Sequence, residues 1–188
     1  MLQSISKKKI YFYLFILLLL SSTFNFNIIS KFKKSILISH INIVGLNEKE
    51  KNNLEKSLKI FMNKNIFFIS KDEVLRILKK NNFLDSYNIV KIFPSKIFIY
   101  AKKTEFVGKT IFDSEKFYIG KNGKLTKVSL VEKEYNLPLV FGNFQVQEFL
   151  EIQEILNKNG FNLDEIKKYY YFKSNRWDIE NNDNVVLK

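Results

Sequence analysis

The chain contains no cysteine, and this absence excludes several classes of protein at once. A disulfide-stapled scaffold, a thiolate nucleophile and a cysteine zinc site all require that residue. Histidine is nearly absent too, since His40 is the only one, so a Ser-His-Asp triad has a single candidate base. His40 falls in a predicted strand, where we interpret it as a structural or solvated side chain.

Glycine and proline are also scarce, at 6 and 2 residues, and no Pro- or Ser-rich linker divides the chain. The segment 120–124 carries glycine and lysine but lacks the GxxxxGK[ST] spacing of a phosphate loop. Glu148, Glu151 and Glu154 share a helical face, with no histidines to complete a metal site. We therefore predict no catalytic residues, no metal and no cofactor, and a protein that is not an enzyme.

Arginine is rare although the chain is strongly basic. The net charge is +12, yet of 31 basic residues only Arg76 and Arg176 are arginine, and Ala101 is the only alanine. Abundant Lys, Asn, Ile and Phe with little Ala indicate a coding sequence rich in A and T. Guanidinium forks suit phosphate and guanine recognition better than lysine does. We therefore expect neither a nucleic-acid partner nor a small-molecule substrate.

The one long stretch without charge lies near the N-terminus, between Lys9 and Lys31. A helix over residues 10–30 would be about 31 Å long, close to the hydrocarbon thickness of a bilayer. The alternative is a cleaved signal peptide, but no Ala-x-Ala-like site follows the apolar centre. We expect a cytoplasmic tail over residues 1–9, a transmembrane helix over 10–30 and an exported body. The predicted anchor residues are Ile10, Leu14, Leu17, Leu20 and Ile28.

Residues 36–104 have the pattern of a β-α-α-β-β module. An alternating strand over 36–44 precedes a helix over 48–63, for which Asn47 is the predicted N-cap. Ser70 begins a second helix, with Glu73 three residues later in a capping-box pattern. Strands over 86–93 and 96–102 then form a hairpin around the turn Pro94-Ser95.

Residues 105–188 have a different sequence pattern, which predicts short strands and a single helix. Asn122-Gly123 predicts a hairpin between strands over 116–119 and 125–130. An extended segment over 137–142 follows. Apolar residues over 146–156 form a helical stripe that ends at Asn159-Gly160. The last predicted strands cover 169–172, 176–179 and 185–187. The expected fold class is α+β: the N-terminal transmembrane helix, the β-α-α-β-β module and this strand-rich domain.

This order of elements resembles the bacterial cell-division family FtsQ, also called DivIB, over nearly the whole chain. Ile41-Asn42-Ile43-Val44-Gly45 is similar to the strand that opens the family's POTRA module. The segment 65–69 fits the connection before its second helix, and 90–99 resembles its Pro-turn hairpin. Later segments that resemble the family are 118–123 (its ID-x-x-G hairpin), 137–142 (its LP-x-x-G segment), and 176–179 with 185–187 (its late strand pair).

Membership would imply a POTRA-like domain over 36–104 and a β domain over 105–188. Two features depart from the family. Lys102 and Glu105 stand where it usually has a Glu and a Pro, and the sequence ends at Lys188 where members commonly continue with more strands. Through that end the family is thought to add a strand to FtsB and FtsL. We expect either a truncated product or a different pairing, with the edge at Val185, Val186 and Leu187 as the docking site.

The resemblance implies a non-catalytic bitopic scaffold of the divisome in the inner membrane. Its N-terminus would be cytoplasmic, its body periplasmic, and its partners at the septum FtsB- and FtsL-like proteins. The alternative is a POTRA-containing protein of outer-membrane protein assembly or secretion. A third interpretation, a secreted basic binding protein, would require signal cleavage. An enzyme would require a carboxylate site that the sequence does not reveal.

Overall fold

The computed structural model describes residues 7–22, 30–31 and 34–188, and within them the fold is α+β, as predicted. After the N-terminal helix, strands and helices build two sheets of different size. The helices are α1 (Lys7–Ser22), α2 (Glu48–Leu58), α3 (Lys71–Lys79) and α4 (Val146–Lys158). The strands are β1 (His40–Val44), β2 (Leu84–Ile92), β3 (Lys96–Lys103), β4 (Phe106–Phe112), β5 (Glu115–Gly120), β6 (Leu125–Lys127), β7 (Leu139–Phe141), β8 (Ile166–Tyr171), β9 (Trp177–Asn181) and β10 (Val186–Leu187).

The predicted transmembrane helix over residues 10–30 is wrong. Helix α1 has 16 residues, which gives a length of about 24 Å against roughly 30 Å of bilayer hydrocarbon. Near its end, the Ser21 hydroxyl donates to the carbonyl oxygen of Leu18 at 2.9 Å, a local bond typical of serine at helix ends. Among the described residues, no helix is long and apolar enough to cross a membrane.

Of the five predicted anchor residues, four lie within the described part of the chain and one lies outside it. Four of them lie on α1, and the side chains of all four are exposed: Ile10, Leu14, Leu17 and Leu20. Ile28 lies outside the described residues.

The small sheet has the strand order β1-β3-β2, with β1 parallel and β2 antiparallel to β3. Together with α2 and α3 it forms a β-α-α-β-β unit. Helix α2 contacts β1 and α3, and α3 contacts β2. The inward residues of β3 alternate with exposed ones, because successive side chains of a strand point to opposite faces. The buried side chains of this unit include Leu54, Leu58, Leu78, Ile97 and Ile99.

Local sequence signals account for how these elements begin and turn. The Ser70 hydroxyl accepts from the backbone N–H of Glu73 at 3.1 Å, which is the predicted cap of α3. Asn47 is the N-cap residue of α2, but its side chain makes no capping bond. Gly45 has φ of 96°, and a Cβ there would overlap the carbonyl oxygen of Ala101, so only glycine fits after β1.

The large sheet has seven strands in the order β10-β9-β8-β7-β4-β5-β6. Its three central strands, β4, β7 and β8, are parallel, and the outer pairs are antiparallel. Helix α4 covers one face. Its Phe149 packs edge-on against Tyr169 at 5.1 Å and also meets Trp177, so one aromatic cluster forms the core under the helix.

The two sheets share a continuous core. Phe106, Tyr118 and Val131 of the second unit belong to the same buried cluster as the helices and strands of the first. The Asn122 amide donates to the carbonyl oxygens of Asn82 and Leu84, both at 2.9 Å, and so ties the β5–β6 turn to the small sheet. These contacts hold both sheets in one packed body.

Candidate docking edge of the large sheet

Strand β10 is one of the two edge strands of the large sheet, with β6 at the other margin, and it carries the predicted docking residues. Val186 pairs with Glu180 and Leu187 with Ile179 of β9, and Val185 immediately precedes the strand. The side chains of all three are about half exposed, at 55%, 45% and 48% for Val185, Val186 and Leu187. Within the described residues no strand pairs with the other side of β10. Such an edge offers unpaired backbone groups to an incoming strand.

The backbone groups of Val186 are the ones directed toward the open side. The carbonyl oxygen of Val185 accepts from the Asn181 N–H at 3.0 Å, so this residue faces β9. Because backbone groups alternate in direction along an antiparallel strand, Leu187 also faces β9, and Val186 faces away from it. The N–H and C=O of Val186 are therefore free for augmentation.

A tight turn over residues 181–184 fixes the position of β10. The Asn181 side-chain oxygen accepts from the N–H groups of Asp183 at 3.0 Å and Val185 at 2.9 Å. Asn184 has φ of 60°, a conformation that asparagine tolerates, and its side-chain oxygen accepts from Lys167 Nζ at 3.0 Å. The Asn181 bonds close the turn, and the bond from Lys167 holds it to β8.

A polar network supports β9 directly behind the edge. Glu180 accepts from Lys168 Nζ at 2.8 Å and from the Tyr170 hydroxyl at 2.9 Å, although only 8% of the residue is exposed. Hydrogen bonds from Lys168 and then Tyr170 hold the pKa of the Glu180 carboxyl below its usual range. The same hydrogen bond with Glu180 raises the pKa of Lys168. Glu180 therefore stays ionised opposite Val186.

A second ion pair lies at the start of β9. The Arg176 guanidinium donates through Nε to Oδ1 of Asp178 at 2.9 Å and through a terminal nitrogen to Oδ2 at 3.3 Å. Asp178 is only 4% exposed, so this bidentate pair satisfies a carboxylate inside the sheet. Arg176 also lies over the Phe172 ring at 4.9 Å. These contacts satisfy the polar groups at the start of β9, the strand on which β10 pairs.

The segment 137–142, which predicted an extended strand, forms β7 near the middle of the sheet. Gly142 has φ of 108°, and a Cβ at this residue would overlap the carbonyl oxygen of Tyr171. The glycine that ends the motif is therefore needed for the close approach of β7 to β8. This segment builds the sheet and does not contribute to its edge.

The residues considered for chemistry lie apart from one another. His40 is exposed at the start of β1, with Nδ1 2.9 Å from the Ser39 hydroxyl. Glu148 accepts from the backbone N–H of Gln145 at 2.9 Å and so caps α4, and Glu154 pairs with Lys158. In the part of the chain that the structure describes, no group of three His, Cys, Asp or Glu residues could hold a metal ion.

Two features escaped prediction from the sequence. The first is the buried ion pair between Glu50 and Lys103 at the junction of the two sheets, with 2.9 Å between Oε1 and Nζ. The second is a cleft beside α4, lined by residues that are distant in the chain. Spacing could not have revealed either feature, since both depend on how the sheets are joined.

No protein-family model matches the chain, and no curated protein matches it at a significant level.

Proposed function

We propose that this protein is a non-catalytic scaffold of bacterial cell division, of the type that FtsQ represents, acting at the septum on the periplasmic side. The observation that carries the proposal is the pairing of two units in one chain. A β-α-α-β-β unit with sheet order β1-β3-β2 is followed directly by a larger sheet that ends in the open edge β10.

The proposed mechanism is recruitment by strand addition at β10. An extended segment of a partner, FtsB- or FtsL-like by resemblance, would pair with the outward N–H and C=O of Val186. The main-chain bonds would supply affinity, and the half-exposed side chains of Val185, Val186 and Leu187 would supply specificity. The Lys168–Glu180–Tyr170 network would hold the edge in place during docking.

The experiment compares two substitutions at one residue of the full chain. Val186→Pro removes the outward N–H, while the bonds from β10 to β9 stay intact because Val186 does not face β9. Val186→Thr keeps that N–H and the β-branched shape, so it is the matched control. In cells depleted of the native protein, we expect Val186→Thr to restore division and Val186→Pro to leave filaments.

Circular dichroism and thermal unfolding establish that both variants fold. If folded Val186→Pro restores normal cell length as well as Val186→Thr does, docking through the β10 backbone is wrong. If depletion of the native protein leaves division normal, the proposed role in division is wrong.

A further inference from the structure

Two exposed phenylalanines lie side by side in the connection between α2 and α3. Phe68 is 85% exposed and Phe67 is 59% exposed. Their neighbours on either side, Ile66 and Ile69, are buried in the core. Phe93, in the turn between β2 and β3, is 55% exposed, and its ring stacks on that of Phe67 with 4.8 Å between the ring centroids. The three rings therefore form one exposed apolar surface, which we call the phenylalanine tip.

Hydrogen bonds fix the loop that presents these rings. The Asn65 side-chain oxygen accepts from the N–H of Phe67 at 2.9 Å, and the Asn65 carbonyl oxygen accepts from the N–H of the next residue at 3.1 Å. Lys91 Nζ donates to the carbonyl oxygen of Ile66 at 2.8 Å and also to that of Ile69. The backbone is thus held on both sides of the two phenylalanines, so their exposure belongs to a built turn.

Two further parts of the chain meet this loop. The N–H of Ile38, in the segment that leads into β1, donates to the carbonyl oxygen of Lys64 at 2.9 Å. The N–H of Ser39 donates to the carbonyl oxygen of Ser95, in the β2–β3 turn, at 2.9 Å. The phenylalanine tip is therefore surrounded by three segments of the chain: 34–39, 59–71 and 91–96.

These three segments are basic and contain no aspartate or glutamate. The nearest acids in the sequence are Asp72 and Glu73, in the first turn of α3, where they suit the helix N-terminus. Apart from Lys91, which is directed at the loop carbonyls, the lysines of the three segments are exposed: Lys34, Lys59, Lys64, Lys71 and Lys96. Lysines without opposing acids create a positive potential, which attracts an anionic surface and repels a second copy of the same tip.

We propose that the phenylalanine tip docks on the surface of an anionic phospholipid bilayer. Its rings would enter the boundary between the headgroups and the acyl chains, and the lysines around them would contact lipid phosphates. The lysine stems would lie along the apolar layer with their ammonium groups among the headgroups. A ring as exposed as that of Phe68 stands clear of the body. A bilayer yields around such a ring, whereas a protein partner would need a matching pocket.

This contact is additional to the proposed scaffold role, since the tip lies in the small unit and β10 lies in the large sheet. The test follows the tip itself, because α1 also exposes apolar side chains and could hold the full chain on vesicles whatever the tip does. The chain has no cysteine, so one introduced cysteine can carry a nitrobenzoxadiazole label whose emission reports contact with lipid.

Two label positions are compared in the full chain. Lys71→Cys places the label three residues after Phe68, and Lys173→Cys places it in the β8–β9 turn of the large sheet; both replace an exposed lysine. With vesicles of equal parts phosphatidylglycerol and phosphatidylcholine, we expect the emission of the Lys71→Cys label to rise and shift to shorter wavelength. The Lys173→Cys label should not respond. Vesicles of phosphatidylcholine alone should give a much smaller response, because they offer the lysines no net negative charge.

Two serine substitutions in the Lys71→Cys chain test the rings. Phe68→Ser removes the most exposed ring of the tip, and Phe112→Ser is the matched control, since Phe112 is 60% exposed at the end of β4. We expect Phe68→Ser to lose most of the emission change and Phe112→Ser to keep it, while thermal unfolding establishes that both variants fold. Val186→Pro should keep the full response, so failure of docking at β10 would leave this proposal intact.

Four results would overturn the lipid proposal. The Lys71→Cys label does not respond to anionic vesicles, or both labels respond equally, or phosphatidylcholine alone gives the same response, or folded Phe68→Ser responds as strongly as Phe112→Ser. If the label does not respond to vesicles and Phe68→Ser nevertheless fails to support division, the tip binds a protein, and the lipid proposal is wrong.

Discussion

Removing the charge of Lys103 should destabilise the whole protein far more than removing the charge of an exposed lysine at the same ion-pair distance. Glu50 is 0% exposed, and its Oε1 lies 2.9 Å from Lys103 Nζ, where 18% of the lysine side chain is exposed. Lys103→Met keeps the apolar stem and leaves the buried carboxylate without its partner. Breaking a buried pair in this way costs about 3–5 kcal/mol of unfolding free energy.

The matched control is the exposed pair Lys121–Glu105. Its distance is 2.8 Å, but its side chains are 57% and 68% exposed. Lys121→Met should therefore cost about 0–1 kcal/mol. At about 2–4 °C per kcal/mol for a chain of this size, the expected fall in Tm is roughly 6–20 °C for Lys103→Met and at most about 4 °C for Lys121→Met.

The assay is urea and thermal unfolding followed by circular dichroism and by the fluorescence of Trp177, the only tryptophan. Lys103 lies in the small sheet, and Trp177 packs against the second buried cluster, under α4 in the large sheet. Because another cluster joins the two sheets through Phe106 and Tyr118, we expect both signals to shift together. The double variant Glu50→Leu with Lys103→Met should recover most of the loss, because no buried charge remains. A loss for Lys103→Met no larger than for Lys121→Met would refute this reasoning.

Three further predictions concern the large sheet. Phe149→Ala should lower the unfolding free energy by about 3–5 kcal/mol in urea titrations, because the ring is 0% exposed under α4. Gly142→Ala should lower the unfolding free energy by more than about 2 kcal/mol, since its Cβ would overlap Tyr171. Gly123→Ala, whose Cβ meets no atom within 4 Å, should lower it by about 1 kcal/mol. Thermal unfolding of the two variants measures this difference. The hydrogen bonds from Lys168 and Tyr170 hold the pKa of Glu180 below its ordinary value of 4.5. The stability that the carboxylate contributes is therefore present above pH 4.5 and is lost as the pH falls through the folded-state pKa. In acid titrations, a Glu180→Gln variant should lose less unfolding free energy than the native chain.

Features that depend on neighbouring residues could be predicted from the sequence. Ser70 caps α3 through the N–H of Glu73, and the hairpin turns at Pro94-Ser95. Both features could be predicted because each depends on residues only a few positions apart in the sequence. The strand at Val185, Val186 and Leu187 was also predicted, since a short apolar run after an Asn-rich turn is a local signal. The order of strands in the large sheet could not be predicted, because parallel neighbours such as β4 and β7 are far apart in sequence.

Strand β4 was missed because its inward residues carry little apolar signal. Phe106, Gly108 and Thr110 are buried at alternate positions, but glycine and threonine do not give the alternating apolar pattern by which a strand is predicted. A side chain at position 108 would crowd the Phe149 ring and Val140, which explains the glycine at this buried position. The alternation exists in the structure, and only the packing against α4 reveals it.

Long-range bonds explain the remaining differences. The first strand was predicted over 36–44 but begins at His40. The residues before it pair with a different segment: the N–H of Ile38 donates to the carbonyl oxygen of Lys64, and the N–H of Ile66 donates to that of Ile36. Glu50 lies in the first turn of α2, and its partner Lys103 lies 53 residues away, so the ion pair could not be predicted from neighbouring residues. The charge-free stretch over 10–30 predicted one long helix, whereas α1 covers Lys7–Ser22.

The position of the protein in dividing cells tests the proposed scaffold role most directly. A fluorescent fusion of the full chain, imaged in growing cells of the organism that encodes it, should concentrate at midcell before constriction. The Val186→Thr fusion should do the same. Uniform distribution of the native fusion through the division cycle, in cells whose length is normal, would contradict the account.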